Sequence, residues 1–195
     1  MNYYISDLHF CHLNVLKLDN RPFETLEEMH NAIISNWNAV VSKTDTVYIL
    51  GDFCWGKEQD WISILKKLQG HKVLIRGNHD LKTMSANLKK CFQSITDYKE
   101  ISDNGHKVIL SHYPILMYRS AYNENIYMLY GHVHNTREHD FVIKWRSELR
   151  KSAIGRGDNL GQIYNVGCML PHINYTPRTL IEIISGDDEI YGRND

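Results

Sequence analysis

No run of apolar residues in this chain approaches the roughly 20 that a membrane-spanning helix requires, which argues against an integral membrane protein. The first residues, Met1 to Asp7, lack the basic and long apolar regions of a secretory signal and read instead as an early strand. Cysteine is sparse. Cys11, Cys54, Cys91 and Cys168 lie far apart with no C-x-x-C pair, so neither a disulfide framework nor a cysteine-based zinc site is expected, and reduced thiols in a cytoplasmic protein are. Excess charge of one sign is also absent. A formal net charge of −1 gives no global attraction to nucleic acid or an anionic membrane. Repeats, low-complexity tracts and linkers are missing too, so the 195 residues are expected to form one domain, 1–195.

What is present is an ordinary globular composition, 43% hydrophobic and 23% charged, enough to bury a core without covalent staples. Short β-rich runs alternate with helical patterns in the first half. Tyr3–Ser6, Thr46–Leu50 and Val73–Ile75 read as strands. Thr25-Leu26-Glu27-Glu28 has the form of a capping box and opens a helix whose Leu26, Met29, Ile33, Trp37 and Val40 share one face. Trp61, Ile62, Leu65 and Leu68 mark a second helix stopped by Gly70, and a third is expected over about Lys82 to Cys91. This order argues for an α/β sheet with parallel crossovers. Later, Tyr98–Ser102 and Lys107–Leu110 flank Asn104-Gly105 as a hairpin, and Ile126–Tyr130, Ile163–Val166 and Thr179–Ile184 read as further strands. The segment from Thr136 to Gly161 fits least well. Arg137, Lys144, Arg146, Arg150, Lys151 and Arg156 make it either a basic flap over an anionic substrate or a solvated insertion, and Glu138, Asp140, Glu148 and Asp158 favour the second reading.

Histidine is unusually frequent, with eleven in the chain. Five short clusters each follow a strand-like run: Asp7-Leu8-His9, Gly51-Asp52, Gly77-Asn78-His79-Asp80, Ser111-His112 and Gly131-His132-Val133-His134. Carboxyl ends of parallel strands converge on one crevice, so side chains delivered there can meet. Carboxylate, imidazole and amide donors without thiolates suit divalent manganese, iron, zinc or nickel, with manganese placed first. Asp7 and His9, two apart on an extended segment, can grip one ion. The two oxygens of Asp52 can bridge a pair of ions ~3.5–4 Å apart. Asn78 adds a donor without adding charge. Each cluster alone arises easily by chance; together, in this order and context, they are a strong signal. His30, His71, His106, His139 and His172 lie outside any motif and read as surface residues.

The ordered set D-x-H, G-D, G-N-H-[DE], H and G-H-x-H resembles the calcineurin-like metallophosphoesterase superfamily, over Asp7 to His134 with every motif intact. The opening Asp7-Leu8-His9-Phe10-Cys11-His12 and the Arg21-Pro22-Phe23 segment are similar to a group of small bacterial and phage phosphoesterases, with Cys11 where a glycine is expected. The resemblance implies a four-layer αββα sandwich of two mixed sheets flanked by helices. It implies that Asp7, His9 and His134 hold one metal and Asn78, His112 and His132 a second, with Asp52 shared and His79 facing substrate.

The chemistry then suggests a phosphoesterase in which a metal-bridging hydroxide attacks a phosphomonoester or phosphodiester. His79 is the candidate general acid, oriented by Asp80 unless Asp80 merely caps the next helix. Arg76 either clamps phosphate or pairs with a carboxylate. His12 and Asn14 touch substrate, support the ligands from behind, or only hydrogen-bond within their loop. Tyr113 either shapes the turn after His112 or lines the pocket. The expected substrate is a small molecule or nucleotide ester rather than a polymer, with no membrane and no obligate protein partner. Two rivals are a nuclease, favoured by a basic groove at 136–161, and a non-catalytic scaffold, disfavoured by the intact ligand set.

Overall fold

The computed structural model describes residues 1–153 and 161–191. Strands β1 (Asn2–Ile5), β2 (Thr46–Ile49), β3 (His71–Ile75) and β4 (Ser94–Thr96) form one sheet in that order, each neighbouring pair parallel, with an antiparallel bridge from Tyr4 to Arg178 beyond β1. Strands β5 (Tyr98–Asp103), β6 (His106–Ser111), β7 (Ile126–Tyr130) and β8 (Ile163–Asn165) form the second. There β5 and β6 are an antiparallel hairpin around Asn104-Gly105, and the remaining pairs are parallel. The helices are α1 (Val15–Leu18), α2 (Leu26–Val40), α3 (Glu58–Lys67), α4 (Ala86–Lys89), α5 (Arg137–Ala153) and α6 (Leu180–Tyr191). None among the described residues is long and apolar enough to cross a membrane.

The layering follows from the two-residue period of the strands. Val108 and Leu110 of β6, Leu129 of β7 and Tyr164 of β8 join the main core with the first sheet and with Met29, Ile33 and Trp37 of α2 and Trp61, Ile64 and Leu65 of α3. Their alternates Ile109, Met128, Tyr130 and Ile163 pack on the opposite face, against Val142 and Trp145 of α5. The result is the expected α/β arrangement of two sheets flanked by helices. α2 starts as its sequence requires: the Thr25 hydroxyl accepts from the Glu28 amide at 3.1 Å.

Three elements differ from expectation. The strand predicted over Thr179–Ile184 is the start of α6, because Thr179-Leu180-Ile181-Glu182 is a second capping box. The Thr179 amide donates to Glu182 Oε2 at 2.8 Å, and Leu180 and Ile183 are buried while Ile181 is not. The helix predicted over Lys82 to Cys91 forms only at Ala86–Lys89, and β4 was not foreseen. At 136–161, α5 is neither solvated throughout nor a basic groove. Arg146 is 1% exposed, 2.6 Å from the equally buried Asp187 of α6, and donates to the Ile163 carbonyl. Arg150 pairs with Asp188 at 3.0 Å and bonds the Tyr164 hydroxyl. The Gly155–Asp158 stretch lies outside the described residues.

The pair between α5 and α6 gives a stability prediction. Asp187→Ala strands a buried guanidinium and should cost about 3–5 kcal/mol. Asp188→Ala removes a part-exposed partner and should cost under about 1 kcal/mol. Urea unfolding at neutral pH distinguishes them; equal losses would show that the buried pair carries no special weight.

Candidate metal centre

The carboxyl ends of β1, β2, β3, β6 and β7 meet where the two sheets join. The Ser6 amide donates to Val166 O at 2.9 Å and the Cys168 amide to Ser6 O at 2.9 Å, so the exit of β1 runs beside the exit of β8. The Asp7 amide donates to Gly51 O, the His9 amide to Asp52 O, and the Gly131 amide to His112 O, which laces the neighbouring loops together. Tight turns at the strand ends leave Asp7, His9, Asp52, His132 and His134 at φ of 56°, 50°, 53°, 71° and 47°. Five non-glycine residues in the left-handed region persist only where surrounding bonds over-determine them, a pattern typical of functional sites. Two motif glycines make room. A Cβ on Gly77 would collide with Asp52, and one on Gly131 with Ser6 and the Asp7 carboxylate.

Asp7 and Asp52 are 0% and 2% exposed, and among the described residues neither carboxylate is paired with a lysine or arginine. Their ionic neighbours are imidazoles. Asp52 Oδ2 is 3.7 Å from His9 Nε2 and 3.6 Å from His112 Nε2, and Asp7 Oδ1 is 3.5 Å from His134 Nε2. Ligand atoms of Asp7, His9 and His134 converge within 4.8 Å, as do those of Asp7, Asp52 and His112. Buried carboxylates without a lysine or arginine partner, ringed by ring nitrogens, fit a bound cation.

The hydrogen bonds behind the rings aim them. His112 Nδ1 donates to Leu50 O at 2.8 Å, so in the neutral ring Nε2 carries a lone pair. That lone pair faces Asn78 Oδ1 at 2.9 Å, another acceptor, an arrangement that a cation between them would resolve. His134 Nδ1 donates to Asp19 Oδ1 at 2.7 Å. Burial works against protonation of His134, yet its bonds to Asp19 and Asp7 push its pKa up to about 10. Burial, reinforced by the nearby His134 and Arg21, holds His9 down at about 3. The two Nε2 atoms are 3.1 Å apart, so a proton or a cation has to lie between them, and a cation entering there displaces protons held on these rings.

The other expected residues are distributed unevenly. His132 donates its amide to Asp7 at 3.1 Å, but its ring stands outside both clusters, 5.0 Å from that of His112. The two clusters share Asp7, whereas Asp52 lies between His9 and His112. His79 is exposed, with its amide on Asp52 Oδ1 and its ring 4.4 Å from that of Trp55. Asp80 does not orient His79. It is buried, and its oxygens accept the amides of Asp52, Phe53 and Gly77, clamping the β2 and β3 loops to each other. Arg76 pairs with Asp97 at 2.8 Å, at a part-exposed position. His12 stacks on Trp55 at 4.2 Å, Asn14 is exposed and makes no side-chain capping bond at α1, and Tyr113 lies edge-on to His132 at 4.5 Å. The histidines expected at the surface are not all there. His139 is 1% exposed beside Asn165, His172 and His30 are half-buried, and His30 accepts the amide of Cys11, whose φ of 63° explains the expected glycine.

Residues 3–162 match the sequence pattern of calcineurin-like phosphoesterases. The chain belongs to the calcineurin-like phosphoesterase family. Within its reach are an uncharacterised protein of Methanocaldococcus jannaschii, 36% identical over 154 residues, covering 77% of this chain and 80% of that one. The gene 66 protein of Mycobacterium phage D29 is 28% identical over 158 residues, 68% of this chain and 78% of that one. A crystal structure of a protein of unknown function from Aquifex aeolicus superposes with a TM-score of 0.66 at 30% identity, over 95% of this chain and 98% of that one. The family and the Asp/His clusters together support a metal-dependent phosphoesterase.

Three residues of the site had no assigned role in the sequence reading, although Arg21 lies in the Arg21-Pro22-Phe23 segment that carries part of the resemblance. Asp19 orients His134, and Arg21, 5% exposed, holds Asp19 Oδ2 at 2.8 Å while donating to the carbonyls of Asp7 and Leu8. Trp55 stands three residues past Asp52; that proximity was its one available signal. Two outcomes test this geometry. Manganese uptake by metal-stripped protein at pH 7 should release protons, with affinity rising as pH increases because His134 is protonated below about 10. Calorimetry in buffers of different ionisation enthalpy reads this, and zero release would contradict it. Asp19→Asn removes the bond that raises His134, so fewer protons should be released on manganese uptake at pH 7 in the same titration, and an unchanged release would contradict it.

Proposed function

We propose that this chain is a binuclear-metal phosphoesterase. The observation that carries the reading is the burial of Asp7 and Asp52 without, among the described residues, a lysine or arginine partner, next to ring nitrogens of His9, His112 and His134. Asp7, His9 and His134 would hold one divalent cation, Asn78, His112 and His132 the other, with Asp52 between them. Manganese is the first candidate, and iron, zinc and nickel suit the same donors. When bound, such cations supply Lewis acidity, lowering the pKa of coordinated water and offsetting charge on phosphate oxygens.

The chain's own residues do the rest. Asp80 and Arg21 hold the ligand loops from behind. His79, exposed beside Trp55, delivers a proton to the departing oxygen; its freedom from Asp80 leaves it able to turn toward an ester. The substrate is a small-molecule or nucleotide ester. Pairing of Arg76, Arg146 and Arg150 with Asp97, Asp187 and Asp188 supports this over a nuclease, since those cations are already matched. The four free thiols support placement in a reducing compartment.

The test is hydrolysis of bis-p-nitrophenyl phosphate and p-nitrophenyl phosphate by metal-stripped protein reloaded with manganese. Turnover should depend on metal. His79→Ala should lower kcat roughly 10²–10³-fold on an ester with an alkoxide leaving group and far less on p-nitrophenyl esters, whose leaving group needs little protonation. Equal losses on both would remove His79 as the acid, and protein that takes up no cation would end the reading.

A further inference from the structure

We propose that the groove between the Tyr113–Leu116 loop and the first turns of α5 binds the organic part of the substrate, and that this part is a flat aromatic heterocycle of the nucleobase kind. The inference rests on the phosphoesterase reading and adds a substrate class to it. The groove has a volume of about 480 Å³ and is lined by Tyr113, Pro114, Leu116, Val133, Phe141 and Val142, with Arg137 and Glu138 at its edge. That size lies within the ~300–1,000 Å³ common for small-ligand sites and suits one nucleoside rather than a strand.

Position ties the groove to the centre. His132 lines it, and the ring of Tyr113 packs edge-on against His132, so the groove begins where the proposed ligands end. An ester with phosphorus at the centre therefore has an apolar wall beside it for one substituent. The floor is firm: Val133 and Val142 are each 4% exposed and belong to the core under α5. The rims are not covered. Tyr113 is 49% exposed and Phe141 62%, two large aromatic surfaces left in water beside a polar centre.

The mixture of groups selects the occupant. An acyl chain would use the apolar floor but leave Arg137 and Glu138 without purpose. A sugar alone would use the polar edge but not the aromatic faces. A heterocycle uses both, stacking on a ring and meeting a donor and an acceptor at its edge. Among the described residues neither Arg137 nor Glu138 forms an ion pair.

The experiment holds the leaving group constant and varies the retained group. With the manganese-loaded enzyme, thymidine 5′-p-nitrophenyl phosphate should exceed methyl p-nitrophenyl phosphate in kcat/KM by about tenfold or more. Phe141→Ala should bring this ratio toward one through the KM of the thymidine ester, whereas Ile181→Ala, on exposed α6 surface, should not change it. A wild-type ratio near one, or a ratio untouched by Phe141→Ala, overturns the proposal. So does a Phe141→Ala variant whose one change is in sedimentation, which would make the groove a contact between copies. Calorimetric binding of thymidine 5′-monophosphate against inorganic phosphate separates the two readings. If no ester is hydrolysed yet the nucleotide binds more tightly than phosphate and Phe141→Ala abolishes the difference, the catalytic reading fails and the groove stands. Equal binding of the two sinks the groove.

Discussion

Two carboxylates, Asp7 and Asp52, are held out of water at the junction of two sheets, and much of the surrounding structure answers the cost of keeping them there. A buried carboxylate is tolerated only with hydrogen bonds and opposite charge. The hydrogen bonds come from backbone amides and Ser6: His132 and Ser6 donate to Asp7, and His79 donates to Asp52. The ionic neighbours are imidazoles, whose ring nitrogens together with the carboxylates form a candidate cation site. The left-handed turn at His132 directs its amide to Asp7, and glycines occupy the points of closest approach to both carboxylates.

Behind the donors stands a second layer that specifies direction rather than charge. Arg21 is buried against the β1 loop and spends its donors on two carbonyls and on Asp19, which in turn sets the ring of His134. Asp80 plays the corresponding part on the other side, taking three amides from the β2 and β3 loops. Both residues are charged and buried, and both act on backbone that carries a ligand rather than on the ligand's reactive atom. The outer layers differ in kind. Trp55, with His12 and His79 against it, borders the centre on one side, and Tyr113 with the apolar groove borders it on another.

Legibility in the sequence followed the range of the interaction concerned. Strands β1, β2, β3, β6 and β7 were readable because apolar runs ending in G-D, G-N-H-D or G-H-x-H are local signals. α2 was readable because Thr25 and Glu28 form a local cap. The same cap at Thr179 and Glu182 went unread, since Leu180, Ile181, Ile183 and Ile184 also satisfy a β-rich run. Tertiary burial of Leu180 and Ile183 on one face decides for helix. In α5, the balance of charges suggested a solvated segment; the buried match of Arg146 with Asp187 depends on a helix some forty residues further along.

The sequence by itself determined the candidate donor set and its place at the ends of strands, because ligand chemistry resides in side-chain identity and strand periodicity is local. It also determined the family. Only the tertiary structure decided which donors share a cluster, that Arg76 is matched by Asp97 and Asp80 by backbone amides, and that Asp19 rather than any motif residue orients His134. Those choices are distances between loops carried on two different sheets, and sheet packing, not spacing along the chain, sets such distances.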